Sequence, residues 1–549
     1  MVSAGTDAQQ AQAGQVLAER AREWLRKPGQ DAGASVVNVL LIPIDIINVV
    51  TTATLSYMRG EASASKPGWI FDRDFEWKAL TSFTSSPSGR AQLGIVSGRP
   101  RQGKTFLLRA LAEATGAFYF AAAQTTSADS LRDLGAMLAA HTGAAAPYAL
   151  SDWDSAIRVL REILPDGLVI IDEFPYLIKA DPALPSLLQR ALDEQAWRQG
   201  PHRTRFLLCG SAMSVMGELL AGNAPLRGRS ALELVVQPFS YQTAAKFWQI
   251  DGDPALAVLV HSIVGGTPAY REEFVAGDGP ASRDDFDDWV IRTALNPVIP
   301  LFREARYLLA EETEIREPAL YNSVLGAIAA GNSTRGGIAN YVGRKSSELV
   351  HPLTVLEDSG LITREADPFH ARRSLFRIAE PLIAFYEAIM RPAWPQLEQR
   401  QAAAVWRRQL STFTSKVVGP HFEALCRDWA FQAGEETFGG LPAEVAAGTV
   451  ADPANKTQVE VDVAVLATAV PNERRRVLSL GEATWGEVLG MGHLERLRRA
   501  RDLLSVKGYD TSATILTCYG ARDFSPQLRA AASADRRILL VGLERLYAA

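Results

Sequence analysis

The stretch that most limits what this chain can become is Gly98-Arg99-Pro100-Arg101-Gln102-Gly103-Lys104-Thr105, which fits the pattern G-x-x-x-x-G-K-[ST]. It follows the apolar run Leu93-Gly94-Ile95-Val96-Ser97 and precedes Phe106-Leu107-Leu108-Arg109-Ala110-Leu111, so the order predicts strand, glycine loop and helix. In that context Gly98 and Gly103 let successive backbone N–H groups converge on phosphate oxygens at the positive end of the following helix. Lys104 then reaches the β and γ phosphates, and the Thr105 hydroxyl holds Mg²⁺. A bare glycine turn ahead of an ordinary helix is the alternative, and the flanking strand and helix disfavour it.

A parallel sheet between helix layers is what such a loop requires, and the downstream pattern supplies one. Helix and strand signals alternate from Phe106 to Ile163, and the run Gly167-Leu168-Val169-Ile170-Ile171 reads as a strand buried on both faces. It ends in Asp172-Glu173. Ligands of such sheets lie beyond the carboxyl ends of the strands, which puts Asp172 where it can bind Mg²⁺ through water and Glu173 where it can orient or deprotonate an attacking water. Arg205-Phe206-Leu207-Leu208-Cys209-Gly210 forms another strand, and Ser211 at its end is either a partner of the γ phosphate or water, or a helix N-cap. Arg227 and Arg229 lie in a glycine-containing loop, where either one stabilises phosphate charge, in cis or toward a neighbouring subunit, or simply faces solvent.

With 549 residues the chain exceeds one hydrophobic core. A formal net charge of −5 excludes any global attraction to nucleic acid, so such contact requires a local basic face. Only Cys209, Cys426 and Cys518 occur, without a C-x-x-C pair, which argues against a zinc site or disulfide framework and fits a reducing cytoplasm. Residues 1–65 read as an extension carrying an apolar segment at 36–55. Twelve Val, Leu or Ile residues there favour insertion, each by about 0.3–0.6 kcal/mol, against about 2.5–3.5 kcal/mol for Asp45. That near balance favours a buried or partner-covering segment over membrane contact.

The set Phe71-x-Arg73-x-x-Glu76, GRPRQGKT, LVIIDEFPYL, LLCGSAMSVM and PLRGR, followed by Gly265-Gly266-Thr267-Pro268-Ala269-Tyr270, resembles the archaeal-type ATPase family of AAA+ and STAND-like P-loop proteins. The resemblance spans about 200 residues in the expected order. It implies an ATPase core over 66–240 and a helical lid over 241–310, with Pro268 in the motif that touches the nucleotide base. It also implies a catalytic set of Lys104, Glu173, Ser211 and Arg229, with ATP and Mg²⁺ as cofactors.

Residues 311–393 then read as helix, turn, helix and β-hairpin, the winged-helix layout, whose second helix is expected over Lys345 to Asp358. Its charge is mixed: Arg344, Lys345, Arg364, Arg372 and Arg373 stand beside Glu348, Glu357 and Asp358, which leaves both DNA contact and a protein partner open. Residues 394–549 resemble the restriction-endonuclease-type PD-(D/E)XK domain, with Glu423, Asp462 and Glu482 at the acidic positions. Thr484 stands where that pattern has lysine. Threonine brings no positive charge, so the departure points to a degenerate docking domain rather than a nuclease.

The fold class expected is therefore α/β: a P-loop NTPase parallel sheet with helical lid, then a winged-helix domain and a C-terminal α/β restriction-endonuclease-like domain. The leading functional expectation is an ATP-binding and ATP-hydrolysing switch, monomeric or oligomeric. An ATP-gated Mg²⁺-dependent nuclease and a non-catalytic nucleotide-binding scaffold are the alternatives.

Overall fold

The computed structural model describes residues 65–86, 91–198, 203–310, 317–370 and 372–548; the apolar segment 36–55 lies outside them. Helix α1 (Asp74–Thr84) leads into strand β1 (Gln92–Ser97), the glycine loop and helix α2 (Lys104–Thr115). Strands β2 (Phe118–Ala121), β3 (Leu168–Asp172), β4 (Arg205–Gly210) and β5 (Ser230–Val235) complete a sheet of order β2-β3-β4-β1-β5, every pair parallel.

Alternation along these strands explains the layers. Val169, Ile171, Phe206, Leu208, Leu93 and Ile95 pack on one face against the helices Ser127–Thr142, Trp153–Ile163 and Leu184–Arg198. Leu168, Ile170, Leu207, Cys209 and Val96 face α1 and α2 on the other. Because all strands run the same way, Ser97, Asp172 and Gly210 finish at one edge. The insertion of β4 between β1 and β3 separates the glycine loop from Asp172 by one strand.

Beyond β5 come the helices Tyr241–Phe247, α3 (Pro254–Val264), Phe286–Arg292 and Leu301–Ala310. Their core does not close on itself. Trp289 and Phe302 share it with Phe385, Trp406 and Phe422, so the expected divide at 393/394 falls within a continuously packed region.

Helices α4 (Pro318–Ala329), α5 (Arg335–Val342) and α6 (Val350–Asp358) pack with the antiparallel pair β6 (Ile362–Ala366) and β7 (Ser374–Ile378) around Val324, Ile338, Leu353 and Phe376. The second helix is shorter than its sequence suggests, since Ser346 to Leu349 form a turn. Ser346 and Ser347 favour such local turns over helix, and Pro352 is tolerated because it falls in the first turn of α6. The α6 helix packs against Met213–Glu218 of the first sheet unit.

In the last part, β8 (Glu444–Asp452), β9 (Thr457–Leu466) and β10 (Val477–Thr484) form an antiparallel meander that continues in parallel into β11 (Ile515–Gly520) and β12 (Ile538–Gly542). Helix α7 (Gly419–Gln432) packs against β8, β9 and β10, and α8 (Met491–Val506) connects β10 to β11. Among the described residues no helix is long and apolar enough to cross a membrane.

Candidate functional site

The glycine loop takes its shape from two constraints. Gly98 lies so near β5's extension that a Cβ would meet the Val236 carbonyl oxygen at 2.6 Å, and Gly103 has φ +85°. Arg101 also adopts a left-handed φ of 68°, uncommon for a side-chain-bearing residue. A strut from α1 supports the turn. Arg73 Nη2 donates to the Gln102 carbonyl at 3.1 Å, while Nη1 donates to Gln237 O at 2.7 Å and Glu76 Oε1 at 2.8 Å. The guanidinium also lies 4.4 Å from the Phe239 ring centroid.

Lys104 opens α2 and is buried; its ammonium donates to Gly98 O at 2.7 Å and Arg99 O at 2.8 Å, so the positive charge sits inside the loop. Thr105 Oγ1 donates to Asp172 Oδ2 at 2.7 Å, which joins the loop to the end of β3 across β4. The Tyr119 hydroxyl donates to the same oxygen at 2.7 Å, and the Glu173 N–H donates to Asp172 Oδ1 at 3.0 Å. Asp172 is thus fixed by three donors.

Glu173 itself has φ 53°, which turns the chain sharply and points its carboxylate to Ser211, whose hydroxyl donates at 3.1 and 3.2 Å. Burial, and next the Asp172 charge, push the Glu173 carboxyl above its ordinary range; the Ser211 hydrogen bond and Lys104 oppose the shift. A carboxylate so placed is a better proton acceptor than an exposed one.

The lid meets the loop through the Gly266-Thr267-Pro268 turn. The buried Gln102 amide donates to Thr267 Oγ1 at 3.0 Å, and Phe239 N–H donates to Gly266 O at 2.8 Å. A cavity of about 760 Å³ lies between them, lined by the loop residues Pro100 to Thr105 with Glu173 and Ser211, by Trp69, Phe71, Phe106, Phe239, Phe247 and Pro268, and by the acids Glu272 and Glu273. Its lining combines loop cations and hydroxyls with aromatic rings. A polyphosphate joined to a flat base matches that combination in size and chemistry. Residues 70–274 match the model of a family described as an ATPase domain predominantly from Archaea.

This stretch is similar to an ATPase domain. The chain is also similar to an uncharacterized protein of Methanocaldococcus jannaschii, 28% identical over 365 residues that cover 66% of this chain and 77% of that one. Similar solved structures include a Walker-type ATPase of Pyrococcus abyssi, with 20% identity, TM-score 0.45 and coverage of 58% of this chain and 96% of that one. Another is the ORC2 protein of Aeropyrum pernix in ADPNP and ADP complexes, with 15% identity, TM-score 0.38 and coverage of 64% and 98%.

Two sequence expectations fare differently in the ATPase domain and beyond it. Arg229 does not line the cavity: its Nε and Nη2 form a bidentate pair with Asp193, each at 2.8 Å, and Nη1 donates to Pro225 O at 3.0 Å. Arg227 is exposed and donates to Gly222 O. In the C-terminal sheet, Glu482 is held by Arg496, whose Nε lies 3.3 Å from Oε2. Asp462 Oδ2 accepts from Ala483 N at 2.9 Å, and Glu423 stands 4.0 Å from Arg427. Burial raises the Asp462 and Glu423 carboxyl pKa values, Glu423's charge adding to the shift at Asp462. Among the described residues no three His, Cys, Asp or Glu side chains form a group that could hold a metal ion.

Arg73 and Tyr119 had signals in the sequence without an evident role. Arg73 falls in the Phe71-x-Arg73-x-x-Glu76 set, and Tyr119 is the polar-tipped residue one short turn of the pleat before β2 ends level with Asp172.

Proposed function

We propose that the protein binds and hydrolyses ATP and uses the nucleotide state to reposition the helix–hairpin unit and the C-terminal unit. The observation that carries this reading is the convergence on one cavity of Lys104, Thr105, Glu173 and Ser211, from three separate segments, with Asp172 bonded to the Thr105 hydroxyl beside them.

The donor set fits nucleotide and Mg²⁺. Thr105 and Asp172 are already 2.7 Å apart, a hydroxyl and a carboxylate of the hard-oxygen type that Mg²⁺ takes together with phosphate oxygens and water. Thr105 and Asp172 would hold the ion, which would supply positive charge against the phosphates. Lys104 leaves the Gly98 and Arg99 carbonyls for the β and γ phosphates. Glu173 orients the attacking water and accepts its proton, with Ser211 holding the carboxylate in line. Pro268 and the aromatic wall receive the base. Arg229, committed to Asp193, is left for structure or for a neighbouring subunit.

Nucleic acid is the partner we favour for the helix–hairpin unit, read as a winged helix. A second cavity, of about 370 Å³, lies between α6 and the hairpin, and Arg335, Arg364, Arg372 and Arg373 line it. Four guanidinium groups around one concavity suit phosphodiester contact, although Glu357 reduces the local charge. For the C-terminal unit we favour docking over cleavage, because Arg496 neutralises Glu482 and Thr484 brings no charge. The test is an ATPase assay with and without duplex DNA on the parent and Glu173→Gln. DNA stimulation in the parent and loss of phosphate release in the variant are expected; equal release by both proteins would refute a catalytic Glu173.

A further inference from the structure

We propose that Glu304 and Glu380, both outside the ATPase domain, are positioning residues of its phosphate loop and tie nucleotide binding to the downstream units. The inference rests on the nucleotide-binding reading above and concerns what holds that loop. Arg99 Nη1 pairs with Glu380 Oε2 at 2.8 Å and donates to Gly360 O at 3.2 Å. Arg101 Nε pairs with Glu304 Oε1 at 3.3 Å, and its guanidinium lies 5.7 Å from the Phe274 centroid. The two carboxylates are only 3% exposed, so each arginine is the counter-charge of a buried acid rather than a solvent-facing ion.

Their placement gives the pairs a function. Glu304 belongs to Leu301–Ala310, and Glu380 lies two residues past β7 and directly precedes helix Pro381–Phe385. Tyr270, fully buried beside the lid turn, has its hydroxyl 3.4 Å from Glu380 Oε1, and Gly265 approaches so closely that a Cβ would lie 3.1 Å from the Pro381 ring. Lid, hairpin and phosphate loop therefore meet around two arginine–glutamate pairs. Arg101 keeps its left-handed backbone in this setting, and Arg99 contributes the carbonyl that Lys104 grips.

A physical route for coupling follows. When Lys104 turns to phosphate, the Gly98 and Arg99 carbonyls lose their shared cation, and the segment they belong to is the one whose side chain is fixed to Glu380 and Gly360. Movement there is transmitted to the junction between the hairpin and the lid. In the reverse direction, Glu380 and Glu304 hold the loop in the form that accepts nucleotide, so the ATPase domain alone lacks part of its own loop support.

The test uses the full chain and the fluorescent nucleotide mant-ATP with Mg²⁺, on the parent, Glu304→Gln, Glu380→Gln, the double variant and Arg99→Lys. The double variant is expected to bind about tenfold or more weakly, one charge-assisted contact being of that order. KM should rise with kcat changed by less than about threefold, since loop position acts on ground and transition states alike. Arg99→Lys, which keeps a charge for Glu380 but not the guanidinium's second contact with Gly360 O, should weaken binding less than the double variant does. Hydrogen exchange over residues 360–380 should respond to ATP in the parent and not in the double variant. A folded double variant that binds within twofold of the parent, or keeps the exchange response, overturns the proposal. If the double variant does not fold, the single variants decide by the same two readouts. Failure of the parent to bind mant-ATP refutes the ATPase reading instead.

Discussion

Gly266→Ala is the sharpest perturbation available at the lid. A Cβ at this position would stand 2.0 Å from the Phe239 carbonyl oxygen, 2.7 Å from its nitrogen and 2.8 Å from its carbonyl carbon. All three are backbone atoms, so no side chain can swing aside and the two segments must separate. Separation breaks the Phe239 N–H bond to Gly266 O and draws Thr267 from the Gln102 amide, which is buried and has Thr267 as its acceptor. A net hydrogen bond is worth about 1 kcal/mol and a buried donor left without a partner about 1–3 kcal/mol, so the substitution should destabilise the docked turn by about 2–4 kcal/mol. For a unit of roughly 200 residues this lowers the melting midpoint by about 5–15 °C. Pro268 moves with the turn, so mant-ATP affinity should fall at least about tenfold, the equivalent of about 1.4 kcal/mol of the loss. Gly252→Ala is the control, because a Cβ there meets nothing within 4 Å and φ is not left-handed. Thermal melts and nucleotide titrations read both effects. A Gly266→Ala protein with parental melting and affinity within twofold would show that the lid turn is not held by this contact.

Glu173→Gln should bind ATP like the parent while phosphate release falls by about a hundredfold or more, the range of a lost general base. Its stability has a definite pH sign. Burial and Asp172 raise the folded carboxyl above its ordinary 4.5, so the parent loses stability as pH rises through that ordinary value to the folded one. Glutamine escapes the loss, and Glu173→Gln should melt above the parent at pH 8 but not at pH 4. Ser211→Ala removes a hydrogen bond that favours the charged carboxylate, so the acid limb of the ATPase profile should move to higher pH; an unchanged limb would detach Ser211 from Glu173. Tyr119→Phe deletes one of three donors to Asp172, and the Mg²⁺ concentration for half-maximal nucleotide binding should shift severalfold, against no shift if Tyr119 only packs.

Much of the ATPase domain was legible because its chemistry depends on local patterns. The loop residues from Gly98 to Thr105, the apolar run ending at Asp172 and the second run ending at Ser211 each mark a strand end, and parallel pairing is enough to bring strand ends together. The β5 strand was not evident: its residues alternate with an exposed face and carry Glu233, and it gains its place only by pairing with β1. The place of Arg229 was not legible for a related reason. A glycine-rich loop with two arginines suits phosphate contact, yet Asp193, 36 residues away on another helix, decides where the guanidinium goes. The same holds for Glu482, which stands at an acidic position that the family resemblance implies but is paired with Arg496 from α8. The start of α6 was misplaced because turn-forming serines were read into a helix whose buried residues begin only at Pro352.

The four variable positions of the phosphate loop show why pattern and tertiary role are separable. The pattern fixes the glycines, Lys104 and Thr105, whose backbone and side chains face phosphate, and leaves Arg99, Pro100, Arg101 and Gln102 free to vary. Three of these four reach outward to different partners: Arg99 to Glu380, Arg101 to Glu304 and Gln102 to Thr267. A loop needed only to hold phosphate would require none of these contacts, and surface residues would serve as well at those positions. Arginine beside a site for a polyanion would ordinarily be expected to pair with the ligand. Here two buried carboxylates compete for the arginines, and the phosphate end of the cavity relies on backbone N–H groups and Lys104. Removing both carboxylates would therefore do more than weaken the fold: it would release two cations at the mouth of an anion site. The full-chain measurements distinguish the outcomes: loss of loop support weakens mant-ATP binding about tenfold, as proposed, whereas binding tighter than the parent's would show that freed arginines capture phosphate and would overturn the positioning role.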